Sequence, residues 1–128
     1  MQKTIQIVLL LLSFNAIAQQ DVAPMDFLII TAKVVNLEPT LMSIENLSPD
    51  NNFEIVFYGK NVTELLHPET EQLIHSATKL NLKMSVCKMS LDMLKINPKT
   101  LPKEIQVVDN AFLYALQLQK MGFKTLNI

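Results

Sequence analysis

Short apolar runs alternate with amphipathic stretches along this chain, and the hydrophobic period switches between them. Phe27 to Ile30 reads as a first strand, and Lys33-Val34-Val35 offers an extension of it. Pro39 suits the first turn of a helix, where a missing N–H costs nothing, with Leu41, Met42, Ile44 and Leu47 as its apolar positions. Ser48-Pro49-Asp50-Asn51-Asn52 is a dense turn signal. Phe53 to Tyr58 (FEIVFY) is the clearest strand, ended by Gly59, and its near-continuous hydrophobicity predicts a central parallel strand covered on both faces. After His67-Pro68 the spacing predicts a helix over 69–81, with Leu73, Ile74, Ala77 and Leu80 on one face and His75 almost opposite, in solvent. Lys83 to Cys87 is a third strand, Met89 to Leu94 a short helix stopped at Asn97-Pro98, and Ile105 to Val108 a fourth strand. Asn110 suits the cap of a helix that reaches Met121 and ends at Gly122. Phe123 to Ile128 closes the series as a fifth strand.

Strands that alternate with helices over short connections predict an α/β domain: three Rossmann-like layers, a mostly parallel five-stranded sheet with helices on both faces. Crossovers in such a sheet are right-handed, so the βα turns gather at one edge, beyond the carboxyl ends of the strands, where ligands bind in open α/β sheets. That rule selects Gly59-Lys60-Asn61, Cys87-Lys88-Met89 and Asp109-Asn110 as cleft candidates. The final helix adds an expectation of assembly. On a helical wheel Ala111, Ala115 and Leu118 form one apolar face, while Leu113 and Leu116 fall on the other, a patch suited to a homo-oligomeric interface.

The N-terminus follows another pattern. Lys3 supplies a positive start, Ile5 to Leu12 is apolar but for Gln6, and Ala16-Ile17-Ala18 places small residues two apart. This is the pattern of a signal peptide over residues 1–18, with a mature domain over 19–128 that is periplasmic or secreted. The run is shorter than the ~20 apolar residues of a permanent membrane span, so no stable anchor is expected after processing.

Composition narrows the function classes. In 128 residues, 49% apolar, there is room for one modest core. All eleven basic residues are lysines, spread without clustering, at a net charge of −1. A nucleic-acid surface needs a concentrated positive field, so none is expected, and an arginine clamp on phosphate is excluded. The single cysteine, Cys87, cannot form an internal disulfide, and without a second thiol a Cys-x-x-Cys oxidoreductase is excluded. One cysteine and two scattered histidines, His67 and His75, make no zinc set. Gly59-Lys60-Asn61 lacks the spacing of a phosphate loop. No metal and no cofactor are expected.

Cys87 remains the candidate catalytic residue. At a strand end just before a helix, a thiolate faces unpaired backbone N–H groups that lower its pKa from about 8.5, and Lys88 would add positive charge. The competing reading is an inert buried cysteine, because free cysteine is among the most buried residue types. Lys60 and Asp109 would line the same cleft, with a solvated lysine and a capping acid as their plainer descriptions.

The residues FEIVFYGKNV (Phe53 to Val62) and MSVCKMSL (Met84 to Leu91) together resemble the DsrE/DsrF-like family. Ile44-Glu45-Asn46-Leu47, Ile96, Leu101, Val107-Val108, Ala111 and LQKMGF (Leu118 to Phe123) extend the likeness, which spans about Phe27 to Ile128. The resemblance implies a Rossmann-like three-layer fold, often assembled into trimers or hexamers. It also implies, in some members, a sulfur relay that carries a persulfide on the cysteine corresponding to Cys87, passed between a sulfur donor and an acceptor protein. An exported chain differs from the best-understood relay members, which act in the cytoplasm. Two other functions fit the same fold: a non-catalytic module that binds a small ligand or protein in the cleft, and a structural subunit of an exported assembly.

Overall fold

A computed structural model describes residues 23–47 and 49–128, so the expected signal peptide lies outside the described residues, as does Ser48. Strands β1 (Asp26–Thr31), β2 (Asn52–Phe57), β3 (Leu82–Cys87), β4 (Ile105–Val108) and β5 (Lys124–Asn127) form one sheet in the order β4-β3-β2-β1-β5. Every pairing is parallel. The helices are α1 (Leu37–Ile44), α2 (Pro68–Lys79), α3 (Lys88–Met93) and α4 (Ala111–Lys120). The chain steps outward from β1 through β2 and β3 to β4, then α4 carries it back across the sheet to pair β5 with the far side of β1. Reversing direction while keeping right-handed crossovers requires α4 to lie on the face opposite the other helices.

The period of two along the strands sorts side chains to the two faces. One face carries Ile29, Phe53, Ile55, Phe57, Met84, Val86 and Ile105 into the larger core, against Leu37, Leu41 and Ile44 of α1, Ile74 and Ala77 of α2, and Leu91 of α3. The other carries Leu28, Ile30, Val56 and Cys87 beneath Ala111, Ala115 and Leu118 of α4. β2 is the middle strand, and Ile55, Val56 and Phe57 have no exposed surface, in accord with its continuous apolar sequence. The three residues predicted to seat the last helix do so, while Leu113 and Leu116 stand 53% and 59% exposed.

Three expectations are corrected. Val34–Asn36 is a 3-10 turn, not an extension of β1. Thr31 closes the strand there: its buried Oγ1 accepts from Lys33 N at 3.1 Å and from Asn36 Nδ2 at 3.0 Å. α1 starts at Leu37 and ends at Ile44, so Leu37 and Thr40 join its buried side, while Met42 faces solvent and Leu47 lies beyond the helix. Pro39 does sit in the first turn. Finally, Lys60–Leu66, for which the pattern predicts no element, is a 3-10 helix that buries Val62 and Leu65.

Candidate thiol site at the carboxyl edge of the sheet

Cys87 ends β3 and occupies the cap position of α3, with extended backbone at φ −72° and ψ 120°. Its side chain takes the α4 face of the sheet and is 4% exposed. The strand registers give it two neighbours on that face. Val108 of β4 pairs with it directly, and Tyr58, one residue beyond the Phe57–Val86 pair, stands on the other side. Overhead is the first turn of α4, whose Ala111 N–H donates to Cys87 Sγ at 3.4 Å. Asn110 fixes that turn, its Oδ1 accepting from Phe112 N at 2.9 Å and Leu113 N at 3.2 Å. The predicted cap is therefore real, and its effect is to hold Ala111 N–H on the sulfur.

Burial by itself pushes the Cys87 thiol up, because a thiolate is poorly solvated in apolar surroundings. The N–H groups of Ala111, Ser90 and Met89 and the Ser90 hydroxyl outweigh it, so the thiol lies below its ordinary value. Cys87 holds the cap position of α3 without a side-chain cap bond, and the first N–H of α4 reaches its sulfur from above. Lys88 does not provide the expected charge, since its Nζ turns to Asp92 at 3.0 Å, one helical turn along.

Ser90 is the contributor that the sequence reading did not single out. It is 5% exposed, and its Oγ accepts from Gly59 N at 2.8 Å. Gly59 sits at φ +85°, a conformation that L side chains rarely adopt, and this aims its N–H across from β2 to α3. The sequence signal was the spacing Cys-x-x-Ser at a strand-to-helix junction, which puts a hydroxyl on the first turn that the cysteine caps.

The remaining cleft candidates divide. Asn61 Nδ2 donates to Ala32 O at 3.2 Å, tying the segment after β2 to the end of β1. Lys60 and Asp109 are exposed. His67 and His75 line a depression of about 600 Å³ beside Leu101 and Pro102, and neither bonds to the sulfur. Among the described residues no group of three or more His, Cys, Asp or Glu side chains could hold a metal. No helix among them is long and apolar enough to cross a membrane.

A second polar cluster lies on the α4 face, where α4 does not cover the start of β2 and β3. Tyr114 OH donates to Glu54 Oε1, and Lys83 Nζ stands 3.5 Å from the same oxygen and 6.0 Å from the Tyr114 ring centre. Burial and the bond to the Glu54 carboxylate raise the Tyr114 phenol. Burial works against the Lys83 ammonium, but Tyr114 and Glu54 favour it more and leave it above its ordinary value. This cluster anchors the middle of α4 to the sheet.

The sequence matches no family model and no curated protein. A solved protein of unknown function from Methanobacterium thermoautotrophicum is similar in structure, with a TM-score of 0.68 over 84% of this chain and 100% of that one, at 17% identity. That likeness shows the fold: a five-stranded parallel α/β domain of Rossmann-like, three-layer form.

Proposed function

We propose that this protein is a single-cysteine sulfur carrier of the DsrE-like kind, exported by its N-terminal segment, with Cys87 as the nucleophile. The observation that carries the reading is the Ala111 N–H that donates to Cys87 Sγ at 3.4 Å, held there by the Asn110 cap, at a thiol that lies below its ordinary value despite burial. The reaction is redox-neutral. Cys87 thiolate attacks the terminal sulfane sulfur of a donor R–S–SH, a new S–S bond forms as the donor's S–S bond breaks, and RS⁻ leaves with the electron pair. The resulting Cys87–S–SH gives its proton to the departing RS⁻, leaving the persulfide Cys87–S–S⁻ and RSH. An acceptor thiolate then takes the outer sulfur, and Cys87 thiolate leaves. One cysteine suffices for this cycle.

Mass spectrometry of the folded protein after treatment with sodium polysulfide tests it. The expected result is addition of one sulfur atom on Cys87, reversed by dithiothreitol and absent from Cys87→Ser, whose fold is unchanged. A protein that takes up no sulfur would instead be the binding module or structural subunit.

On this reading the carrier also self-associates through α4. Phe112, Leu113 and Leu116 are all more than half exposed on its outer side, an apolar surface larger than a lone exposed leucine. Leu113→Gln with Leu116→Gln is expected to lower the molecular mass in light scattering at micromolar concentration. Monomeric wild-type protein, or a double variant of unchanged mass, would refute the assembly.

A further inference from the structure

The closing strand inverts the usual sidedness of a sheet edge. A strand with one face against protein ordinarily turns its apolar residues to the protein and its polar ones to water. On β5 the side toward α4 carries Asn127 and Thr125, whose Oγ1 accepts from Gln119 Nε2 at 3.1 Å. The opposite side carries Leu126 and Ile128, 58% and 44% exposed. The reason is topological: α4 crosses the far face, and no helix among the described residues lies over β5 on the α1 side. What remains there is a groove of about 450 Å³, within the ~300–1,000 Å³ of small-molecule sites. Ile44 of α1 and Leu47 beyond it form one wall, Leu126 and Ile128 the other, over Phe27 and Ile29 of β1. Lys124 supplies the one charged side chain of the lining. It opens β5, is exposed, and pairs with no carboxylate among the described residues. From Lys124 to Ile128 the strand runs about 13 Å, the reach of an extended chain of about ten carbons.

We infer that this groove binds a free straight-chain carboxylic acid of medium length, its carboxylate at Lys124 and its hydrocarbon tail along Leu126 and Ile128 toward Pro39. The apolar walls select the tail, and the unpaired ammonium at one end selects the charge. A flat protein surface would leave the concavity unfilled, whereas a single chain follows it. The groove lies on the α1 side of the sheet and Cys87 on the α4 side, so the site stands apart from the sulfur chemistry.

Isothermal titration calorimetry of the full mature chain with hexanoate, octanoate and decanoate tests it, with octan-1-ol as the uncharged control. The expected result is saturable binding of one acid per chain, tightening about fourfold with each added methylene. Lys124→Gln should weaken octanoate about two- to fivefold, the worth of an exposed ion pair, and leave octan-1-ol unchanged. Ser43→Trp sets an indole into the groove from an exposed position on α1 and should abolish binding of all four compounds, with circular dichroism unchanged. Leu126→Glu, exposed on the other wall, should repel the three acids. Absence of saturable binding would overturn the proposal, as would acid binding that survives both groove variants. A Lys124→Gln variant that weakens octanoate and octan-1-ol alike, or neither, would overturn the carboxylate as the recognised group. A wild-type dimer in light scattering that Ser43→Trp dissociates would give the groove to a second copy of the chain instead. Cys87→Ser should bind octanoate as wild type does, so failure of the sulfur-carrier reading and failure of this one are read separately.

Discussion

Ser90→Ala is expected to raise the Cys87 pKa, because it removes a hydroxyl that favours the thiolate. Ser90 is nearly buried on the first turn of α3, and its hydroxyl and backbone N–H both favour the thiolate. Its oxygen accepts from Gly59 N at 2.8 Å. Removing it deprives the thiolate of a donor and the Gly59 N–H of its acceptor, so stability falls too. Ser90→Thr keeps the hydroxyl and should restore most of the lowered pKa, which a purely structural role would not require. The sign of the pH dependence follows from the direction of the shift. A thiol whose folded pKa is depressed contributes stability that is fully present above its unfolded value of about 8.5 and lost as pH falls through the folded one. Relative to Cys87→Ser, wild-type protein should therefore gain stability as pH rises toward about 8.5, and the gain should shrink in Ser90→Ala. Superimposable pH profiles of alkylation for wild type and Ser90→Ala would contradict this account.

The largest loss of stability is expected from Phe57→Ala, about 3–5 kcal/mol by urea denaturation, the range for emptying a buried aromatic site. Phe57 has no exposed surface, lies at the end of the middle strand, and faces the core built by α1, α2 and α3. Its neighbours in register are Thr31 and Val86, both wholly buried, so the backbone on either side is held and collapse into the cavity is limited. Phe57 also immediately precedes Tyr58 and Gly59, which reach the thiol from the side and through Ser90. A loss below about 1 kcal/mol would show that the core is less closely packed than the burial indicates.

Much of the fold was legible because parallel strands buried on both faces write themselves as continuous apolar runs. Phe53 to Tyr58 is found within a residue of β2; Ile105 to Val108 is β4 although that edge strand is half exposed, and Asn110 caps α4 as its side chain suggests. The segment after Gly59 was not legible, since Val62 and Leu65 repeat every third residue, the spacing of a 3-10 helix, and mimic no longer pattern. Leu37 and Met42 exchanged roles because Pro39 marks a first turn without specifying which residue opens it. Glu54, polar within an apolar strand, finds Tyr114 sixty residues away, and nothing local announces such a partner. At the site, the position of Cys87 could be read from a strand run ending before a helix. The surroundings that act on it could not, because the Ala111 N–H that reaches the sulfur and the Gly59 N–H that reaches Ser90 Oγ are backbone groups whose aim depends on tertiary packing.

The central claim is that Cys87 is a thiolate-prone nucleophile in the folded protein. Its most direct test is the pH dependence of Cys87 alkylation by iodoacetamide under native conditions, followed by mass spectrometry. The account predicts that the intact protein reacts, with a midpoint below the ~8.5 of an unperturbed cysteine. Alkylation that begins only once the chain is unfolded, or a native midpoint at or above that value, would make Cys87 an ordinary core residue and contradict the account.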